Sequence, residues 1–362
     1  MGKLMFSAAE IDALPTILDV VEQLSVVENQ MALRTSSIIP PMQFFDEGRY
    51  SFVSDSHNHN IVRLMPTSQT PFLFFRGQSR YHDPCYPTLY RGEKEGELAS
   101  EEDVASNRIK ICEFSFLLGT HPVFREVALN THVDMVALAQ HYGLSTEYLD
   151  ITNSKWVAAF FASTRYEGDT DSYCPVGRDY AEGYGVIYVA KDVVDQFSDA
   201  FFEKNEVIGY QYFERPSKQS SFGFKLNKGE DFNQLPYFEK VFFRHDIEAS
   251  SIVYNMAYRQ NRYVPRDELS KLARIIADSN EVTRQALFKC WQTYYQDKDL
   301  VYLDKVCANK GWKIREDTKP IAKFDEAVLA DDWKKWNEFG RENLKSRILP
   351  LIAVTSVPYE NE

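Results

Sequence analysis

The stretch LAQHYGLSTEYLDITNSKWVAAFFAS, residues 138–163, decides the fold of this chain. It completes an amphipathic segment, 132–142, whose apolar residues recur at helical spacing, and Gly143 is placed to end that helix. Ser154 opens a second apolar segment, 154–166, and is placed to cap it. The sequence therefore predicts two helices joined by a short polar connection.

The connection gathers side chains that can carry chemistry. They are His141, Tyr142, Glu147, Tyr148 and Asp150. A histidine exchanges a proton near neutral pH, and a tyrosine offers a stacking ring with a hydroxyl group. We therefore predict a catalytic site with His141, Tyr142 and Asp150. The alternative is an ordinary corner of a helical hairpin, in which Asp150 only anchors the next helix.

A second polar stretch, FFRGQSRYHDPCYPTLYRG (residues 74–92), contains the best candidate for anion binding. The run PFLFFRG, residues 71–77, is typical of a buried strand. Arg76 is predicted to emerge at the strand end, where open sheets place ligands, and Gly77 would let a phosphate or ribose approach the backbone. Arginine suits bidentate phosphate contact, and Arg91 adds charge. The alternative is an arginine in a weak surface ion pair.

The rest of the chain contains both helical and strand patterns. Helical spacing predicts helices at residues 7–28, 95–118, 247–258 and 266–279. Short aromatic or apolar runs predict strands at residues 185–190, 208–213, 220–226 and 240–245. Ser7 and Glu10 match a capping box, and Pro15 predicts a break near the start of the first helix.

This order of elements predicts an α+β fold: a small mixed, mainly antiparallel sheet flanked by helices, with a helical C-terminal extension. We expect one domain at residues 1–275, with an irregular insertion at 35–70, and a helical region at 276–362. The helical region is expected to pack on the domain through its tryptophans. These are Trp291, Trp333 and Trp336.

Composition excludes several classes of protein. The chain of 362 residues has 41 basic and 53 acidic side chains, a net charge of −12, which argues against non-specific nucleic-acid binding. No apolar run is long enough to span a membrane, and residues 1–10 lack the long apolar stretch expected of a secretory signal. The five cysteines include no C-x-x-C pair, which predicts reduced thiols and a cytoplasmic location. No metal site is expected, because clustered ligands are lacking.

Three motifs together resemble the FRG domain family, named for its Phe-Arg-Gly motif. The matching residues are Phe75-Arg76-Gly77-Gln78, Pro87-Thr88-Leu89-Tyr90-Arg91, and Gln140-His141-Tyr142-Gly143 with Leu149-Asp150. Gln219 near Phe222 resembles a later family element, and the resemblance covers about residues 7–275. Glu147 stands where the family commonly has Arg, and Ile151 where it commonly has Trp.

The resemblance implies an activity, because the family has been suggested to be related to ADP-ribosyltransferases and occurs in bacterial and phage proteins. It implies NAD as substrate, Arg76 on the pyrophosphate, Tyr142 stacked on the base, and His141 on the ribose or as base. The ligand-binding set it implies is Arg76, Gly77, Gln78, Arg91 and Gln219. The late strands carry no Q-x-E or E-x-E motif, and the nearest carboxylate there is Glu239.

Three functions are compatible with these observations. The first is an NAD-using enzyme, an ADP-ribosyltransferase or a glycohydrolase, with a nucleotide or macromolecular substrate. The second is a nucleotide- or ligand-binding module without turnover. The third is an interaction protein in which the motif residues only stabilise the fold.

Overall fold

The computed structural model describes ten segments of the chain. They are residues 5–35, 44–45, 50–53, 63–66, 73–129, 131–168, 172–190, 198–258, 263–265 and 267–342. Most of the predicted insertion at 35–70, and residues 343–350 of the predicted C-terminal helix, lie outside these segments.

The described part contains thirteen strands and thirteen α-helices. The strands are β1 (Phe44–Phe45), β2 (Tyr50–Val53), β3 (Arg63–Pro66), β4 (Phe74–Gln78), β5 (Tyr148–Thr152), β6 (Thr164–Glu167), β7 (Ser172–Pro175), β8 (Tyr184–Ala190), β9 (Asn205–Val207), β10 (Ser221–Lys225), β11 (Phe238–Arg244), β12 (Glu281–Thr283) and β13 (Lys313–Arg315). The helices are α1 (Ala8–Ala13), α2 (Ile17–Thr35), α3 (Glu101–Leu118), α4 (Pro122–Ala128), α5 (Met135–His141), α6 (Lys155–Ser163), α7 (Ser198–Phe202), α8 (Arg215–Lys218), α9 (Ile247–Tyr258), α10 (Glu268–Asp278), α11 (Arg284–Tyr294), α12 (Val301–Asn309) and α13 (Glu326–Lys335).

The central sheet has six strands in the order β11-β8-β4-β5-β10-β9, and every neighbouring pair is antiparallel. The predicted α+β class is therefore confirmed. Strand β4 pairs with β8 along its whole length, from Phe74–Ala190 to Gln78–Val186. Its described pairing with β5 is confined to Phe75–Thr152, so these two central strands part beyond that position.

The sheet separates two apolar cores. Side chains alternate between its faces, so Phe75 of β4 packs with α2, α6 and α9, while its neighbour Phe74 packs on the opposite face. The opposite core is mostly aromatic. Its fully buried rings include Phe74, Tyr188, Phe201, Phe222, Phe224 and Phe232. Burial on both faces fixes the register of the central strands.

The C-terminal helices pack on the rest of the chain, as expected. Helix α3 contacts α10, α11 and α12, and Trp291 of α11 packs against the apolar cluster that they share. Trp336 is 3% exposed and packs with Val123 and Val127 of α4, with Trp333 beside it. The predicted domain boundary at 275/276 falls inside α10 and stays a prediction.

The predicted connection between two helices is wrong, because residues 148–152 form the central strand β5. The helices themselves are confirmed as α5 and α6, and Ser154 caps α6. The sequence did not predict this strand because apolar side chains of β5 pack into two different cores. Leu149 and Ile151 enter the aromatic core, and Tyr148 packs on the helical side.

Two other helix predictions change at their boundaries, and one strand prediction is wrong. The first helix is two helices, α1 and α2, which break around Pro15, and the Ser7–Glu10 capping box is present. The helix predicted from residue 95 begins at Glu101, because Ser100 caps it. The strand predicted at residues 208–213 is wrong: the edge strand β9 ends at Val207, and the chain then turns at Gly209 with φ +89°.

Close packing of β4 against α6 requires a glycine at position 77, and a substitution there tests this packing. A Cβ atom built on Gly77 would lie 1.8 Å from the carbonyl oxygen of Ala158 in α6, a backbone atom that cannot move aside. We expect Gly77→Ala to lower the free energy of unfolding by about 3 kcal/mol, measured by urea denaturation. Gly119→Ala is the control, because Gly119 has a helical φ of −61° and a Cβ atom there would come no closer than 3.3 Å to its nearest neighbour, the carbonyl oxygen of Phe116. Equal stability of the two variants would contradict this packing.

Candidate functional site

A cavity of about 580 Å³ opens where β4 and β5 part. Its walls come from β4 with the turn after it, the segment 88–91, Gln140 at the end of α5, β5, α6, the β6–β7 hairpin, and Gln219 before β10. Arg76 therefore lies inside strand β4 and not at its end, which corrects the sequence prediction. The guanidinium group reaches the site through the split between the strands.

The cavity is basic in a chain that is acidic overall. Of the described residues on its wall, four are arginines, Arg76, Arg80, Arg91 and Arg165, and one, Asp150, is a carboxylate. Arg80 and Arg165 pair with glutamates at the rim. Among the described residues, Arg76 and Arg91 instead donate to backbone carbonyls, those of Asp150 (2.6 Å) and Tyr86 (2.7 Å), so no carboxylate neutralises them.

The pKa of His82, which lies on the same wall, is affected by this positive charge. Burial lowers the pKa of His82, and the Arg91 and Arg80 guanidinium groups act in the same direction. A concave site with unneutralised guanidinium groups attracts anions, phosphates above all.

Asp150 contacts three other residues of the site. Its carbonyl accepts from Arg76 Nη1, and its Oδ2 accepts from Gln140 Nε2 at 3.3 Å. Its Oδ1 lies 3.3 Å from His141 Nε2. The predicted residues Arg76, His141 and Asp150 are thus brought together, although 74 positions separate Arg76 from Asp150.

Gln219 fixes the orientation of His141. Its Nε2 donates to the carbonyl of Tyr263 at 2.9 Å, so its Oε1 is the acceptor for His141 Nδ1 at 3.2 Å. The neutral ring then carries its lone pair on Nε2, which faces Asp150 Oδ1. Burial lowers the pKa of His141, while the Asp150 carboxylate acts against that shift. Two acceptor atoms, His141 Nε2 and Asp150 Oδ1, therefore lie 3.3 Å apart, and a hydrogen-bond donor from a ligand would suit both.

Several buried polar atoms in and around this site lack partners in the described part of the chain. Arg76 Nε, Thr88 Oγ1, His141 Nε2 and Asp150 Oδ1 are buried atoms that find no hydrogen-bond partner among the described residues. Buried polar atoms are nearly always satisfied in folded proteins, so a cluster of exceptions on a cavity wall indicates a ligand site.

A second cavity of about 680 Å³ adjoins the first across Asp150, Gln140 and Gln219. His141 and Arg215 lie on its wall, and Arg215 Nη1 donates to the carbonyl of His141 at 3.1 Å. Lys271 and Arg274 add positive charge. The two cavities together form a long basic site divided by the Asp150 side chain.

Tyr142 lines the second cavity, but most of its ring is buried in packing. It is 5% exposed, its hydroxyl donates to Asp267 at 2.7 Å, and the Arg215 guanidinium lies 5.0 Å from its ring centroid. Its ring is thus part of the packing behind His141. The aromatic residues on the shared wall of the cavities are others, which sequence reasoning missed. They are Phe161, Tyr166 and Tyr173.

The remaining predicted ligand residues line the first cavity but differ in what they do. Gly77 lies on its wall, yet α6 and not a ligand explains the missing side chain. Gln78 is 8% exposed and its Nε2 lies 3.5 Å from Cys85 Sγ. Gln219 acts through His141, and Arg91 keeps its charge toward the cavity.

Two carboxylates considered from the sequence lie elsewhere. Glu239 is an exposed residue of β11, and Glu147 is buried beside Tyr90, whose pKa is raised by burial and by the Glu147 carboxylate. Neither residue lines the two cavities, so the change from Arg to Glu at position 147 does not alter their charge.

The comparisons with known proteins agree with one part of the sequence analysis. Residues 72–171 match the family model of the FRG domain, which covers β4, α3 to α6 and β5 and therefore most of the site. No curated protein matches the chain, and no solved structure matches it. The chain thus carries an FRG domain in that segment, and the comparisons name no activity for it.

Two kinds of feature are absent from the described residues: a membrane-spanning helix and a group of metal ligands. Within those segments, no helix has the length and apolar character needed to cross a membrane. In the same segments, no group of three or more His, Cys, Asp or Glu side chains could hold a metal ion.

The turn after β4 depends on a buried histidine. His245 is 1% exposed, and its Nε2 donates to the carbonyl of Ser79, a cavity residue, at 2.8 Å. Burial lowers the pKa of His245 to about 4, from an ordinary value of 6.5. Below pH 6.5 the unfolded chain therefore takes up a proton that the folded chain does not, and acid destabilises the fold.

We expect this histidine to lower the free energy of unfolding by about 2 kcal/mol between pH 6.5 and about pH 4.5. His245→Gln keeps a donor for Ser79 but cannot titrate, so its unfolding free energy should fall less over that range. Urea denaturation at several pH values measures the difference, with His132→Gln as the control. Parallel pH profiles for wild type and His245→Gln would contradict the assignment.

Proposed function

We propose that the paired cavities bind a phosphorylated nucleotide of the NAD class. The observation that carries the proposal is the convergence of unsatisfied polar atoms from Arg76, His141 and Asp150 at the wall between two basic cavities. Guanidinium groups suit the phosphates, and a pair of acceptors suits a ribose hydroxyl group.

The shape of the site favours a ligand with two halves. Asp150 stands between the cavities, with basic side chains on both sides of it. In this arrangement Arg76 and Arg91 hold the pyrophosphate, and the His141–Asp150 pair accepts from the ribose. The aromatic side chains Phe161 and Tyr173 on the shared wall offer surfaces for a base.

We further propose that the site cleaves the bond between nicotinamide and ribose. In that reaction the C1′–N bond breaks, its electron pair leaves with nicotinamide, and positive charge develops on the ribose. Asp150 is the one carboxylate among the described residues on the wall of the first cavity, its side chain is 41% exposed, and buried His141 lies beside it. Asp150 would stabilise the charge on the ribose. Water or a macromolecular nucleophile would form the new bond to C1′ and pass its proton to His141 Nε2. A cytoplasmic location and the macromolecular acceptor stay predictions.

Arg76 provides the test of binding. We expect Arg76→Ala to weaken NAD binding about ten- to hundredfold in calorimetric titration, because one charge-assisted contact is worth roughly 1.5–3 kcal/mol. Arg76→Lys should recover part of the affinity, since lysine lacks the bidentate fork. Arg125→Ala, an exposed arginine of α4, is the matched control. If Arg76→Ala unfolds the protein in circular dichroism, Arg76 is structural and the interaction-protein reading is favoured.

Asp150 provides the test of catalysis. Asp150→Asn removes the carboxylate but keeps the backbone carbonyl that holds Arg76. We expect nicotinamide release, measured by mass spectrometry, to fall about 100-fold or more, while NAD affinity changes only a few-fold. Binding of NAD by the wild-type protein without nicotinamide release would instead identify a binding module.

A further inference from the structure

A groove of about 880 Å³ lies on the side of Tyr142 away from His141. Its walls are the segment 210–217, the start of α10, helix α13 and the π-helical turn Trp336–Gly340. None of its residues lines the two basic cavities, so it is a separate site.

The groove is acidic and aromatic. Among the described residues on its wall, the carboxylates are Glu214, Asp267, Glu268 and Asp332, and the one cation, Lys335, pairs with Asp331 at 2.6 Å. Phe339 stands at its edge with 75% of its surface exposed. A groove of this composition attracts a cation that carries an apolar stem.

Two buried donors on the wall of the groove lack acceptors. Gln211 is 2% exposed, and its Oε1 accepts from the backbone N–H of Phe213 at 2.7 Å, which leaves Nε2 without a partner in the described part of the chain. Trp336 is 3% exposed, and its Nε1 likewise has none there. These two N–H groups call for acceptor atoms, and carbonyl oxygens are the usual ones.

The indole ring of Trp336 is held in place by its neighbour. A Cβ atom on Gly340 would lie 2.1 Å from the ring, so the backbone at Gly340 packs directly on it. Packing with Val123 and Val127 fixes the ring from the other elements. The Nε1 donor is therefore preorganised.

Glu268 is the carboxylate best placed for a cation. Its Oε1 accepts from the backbone N–H of Asp325 at 2.8 Å, and its Oε2 is buried without a partner among the described residues. Asp332 is already engaged by Tyr212, whose hydroxyl donates at 2.9 Å, and lies 3.2 Å from His121 Nε2. Asp267 accepts from Tyr142. Glu268 Oε2 therefore lacks a partner among the described residues, whereas Asp267 and Asp332 already accept hydrogen bonds from tyrosine hydroxyl groups.

We propose that this groove binds a segment of a partner protein through a lysine or arginine side chain. Gln211 Nε2 and Trp336 Nε1 donate to backbone carbonyls of the segment, Glu268 pairs with its cation, and Phe339 covers the apolar stem. A polyamine has no carbonyl oxygen for the two donors, and a nucleic acid is repelled by the carboxylates. The occupant is therefore a basic peptide segment.

The charge is tested with a defined peptide. The probe is a fluorescently labelled, acetylated and amidated peptide of alternating glycine and arginine, and fluorescence anisotropy with the full chain measures its affinity. We expect the citrulline version, which is neutral but nearly identical in shape, to bind at least about tenfold more weakly. Equal binding of the two peptides overturns the proposal, as does displacement of the arginine peptide by spermine at equal concentration.

Variants test the site itself. Glu268→Gln removes the charge but keeps an oxygen for Asp325, and Trp336→Phe removes the N–H donor but keeps a ring. We expect each to weaken peptide binding about fivefold or more, while Glu248→Gln on the exposed face of α9 leaves it unchanged. NAD titration of the same proteins should match the wild type, which separates this groove from the nucleotide site. Unchanged peptide affinity in both groove variants overturns the proposal.

Discussion

The hydrogen bond from Arg76 to the carbonyl of Asp150 spans the gap where two central strands stop pairing. A strand carbonyl that faces a gap needs a donor, and here a guanidinium supplies it. The same contact draws a positive charge into the middle of the sheet. Because β8 and β10 hold β4 and β5 from their outer sides, the gap persists as a cavity between two well-supported strands. The rest of the site is arranged around this contact.

Sites of opposite charge lie close together in this fold. The basic cavities and the acidic groove meet behind His141, where the Tyr142 hydroxyl donates to Asp267 and Arg215 lies over the Tyr142 ring. Glu214 lines the groove, whereas the next residue, Arg215, lines the second cavity. A chain with a net charge of −12 thus still gathers several arginine side chains on one concave surface. Local concentration of charge of each sign favours different ligands at neighbouring places.

Part of the site could be predicted from residue chemistry. His141, Asp150 and Arg76 were chosen because their groups exchange protons or bind phosphate, and the structure brings them together. The stacking role of Tyr142 stays a prediction: its mostly buried ring lines the second cavity, and a tyrosine in sequence looks the same whether its ring is free or packed. Gly77 was assigned to a ligand, although its packing on Ala158 requires the glycine. The unsatisfied atoms of Gln211 and Trp336 left no sequence signal at all, since satisfaction depends on neighbours distant in the chain.

Most of the longer helices, the caps at Ser7 and Ser154, the strands β4, β8, β10 and β11, and the α+β class could be predicted from the sequence, because these follow from local periodicity and capping chemistry. Its motifs also determined the FRG resemblance, which the family match supports over residues 72–171. Only the tertiary structure decided that residues 148–152 form a central strand, since a five-residue strand is stabilised by its partners in the sheet rather than by its own pattern. It also decided where β4 and β5 part, because that depends on how three neighbouring strands and α6 pack together, and the position of the cavity follows from it.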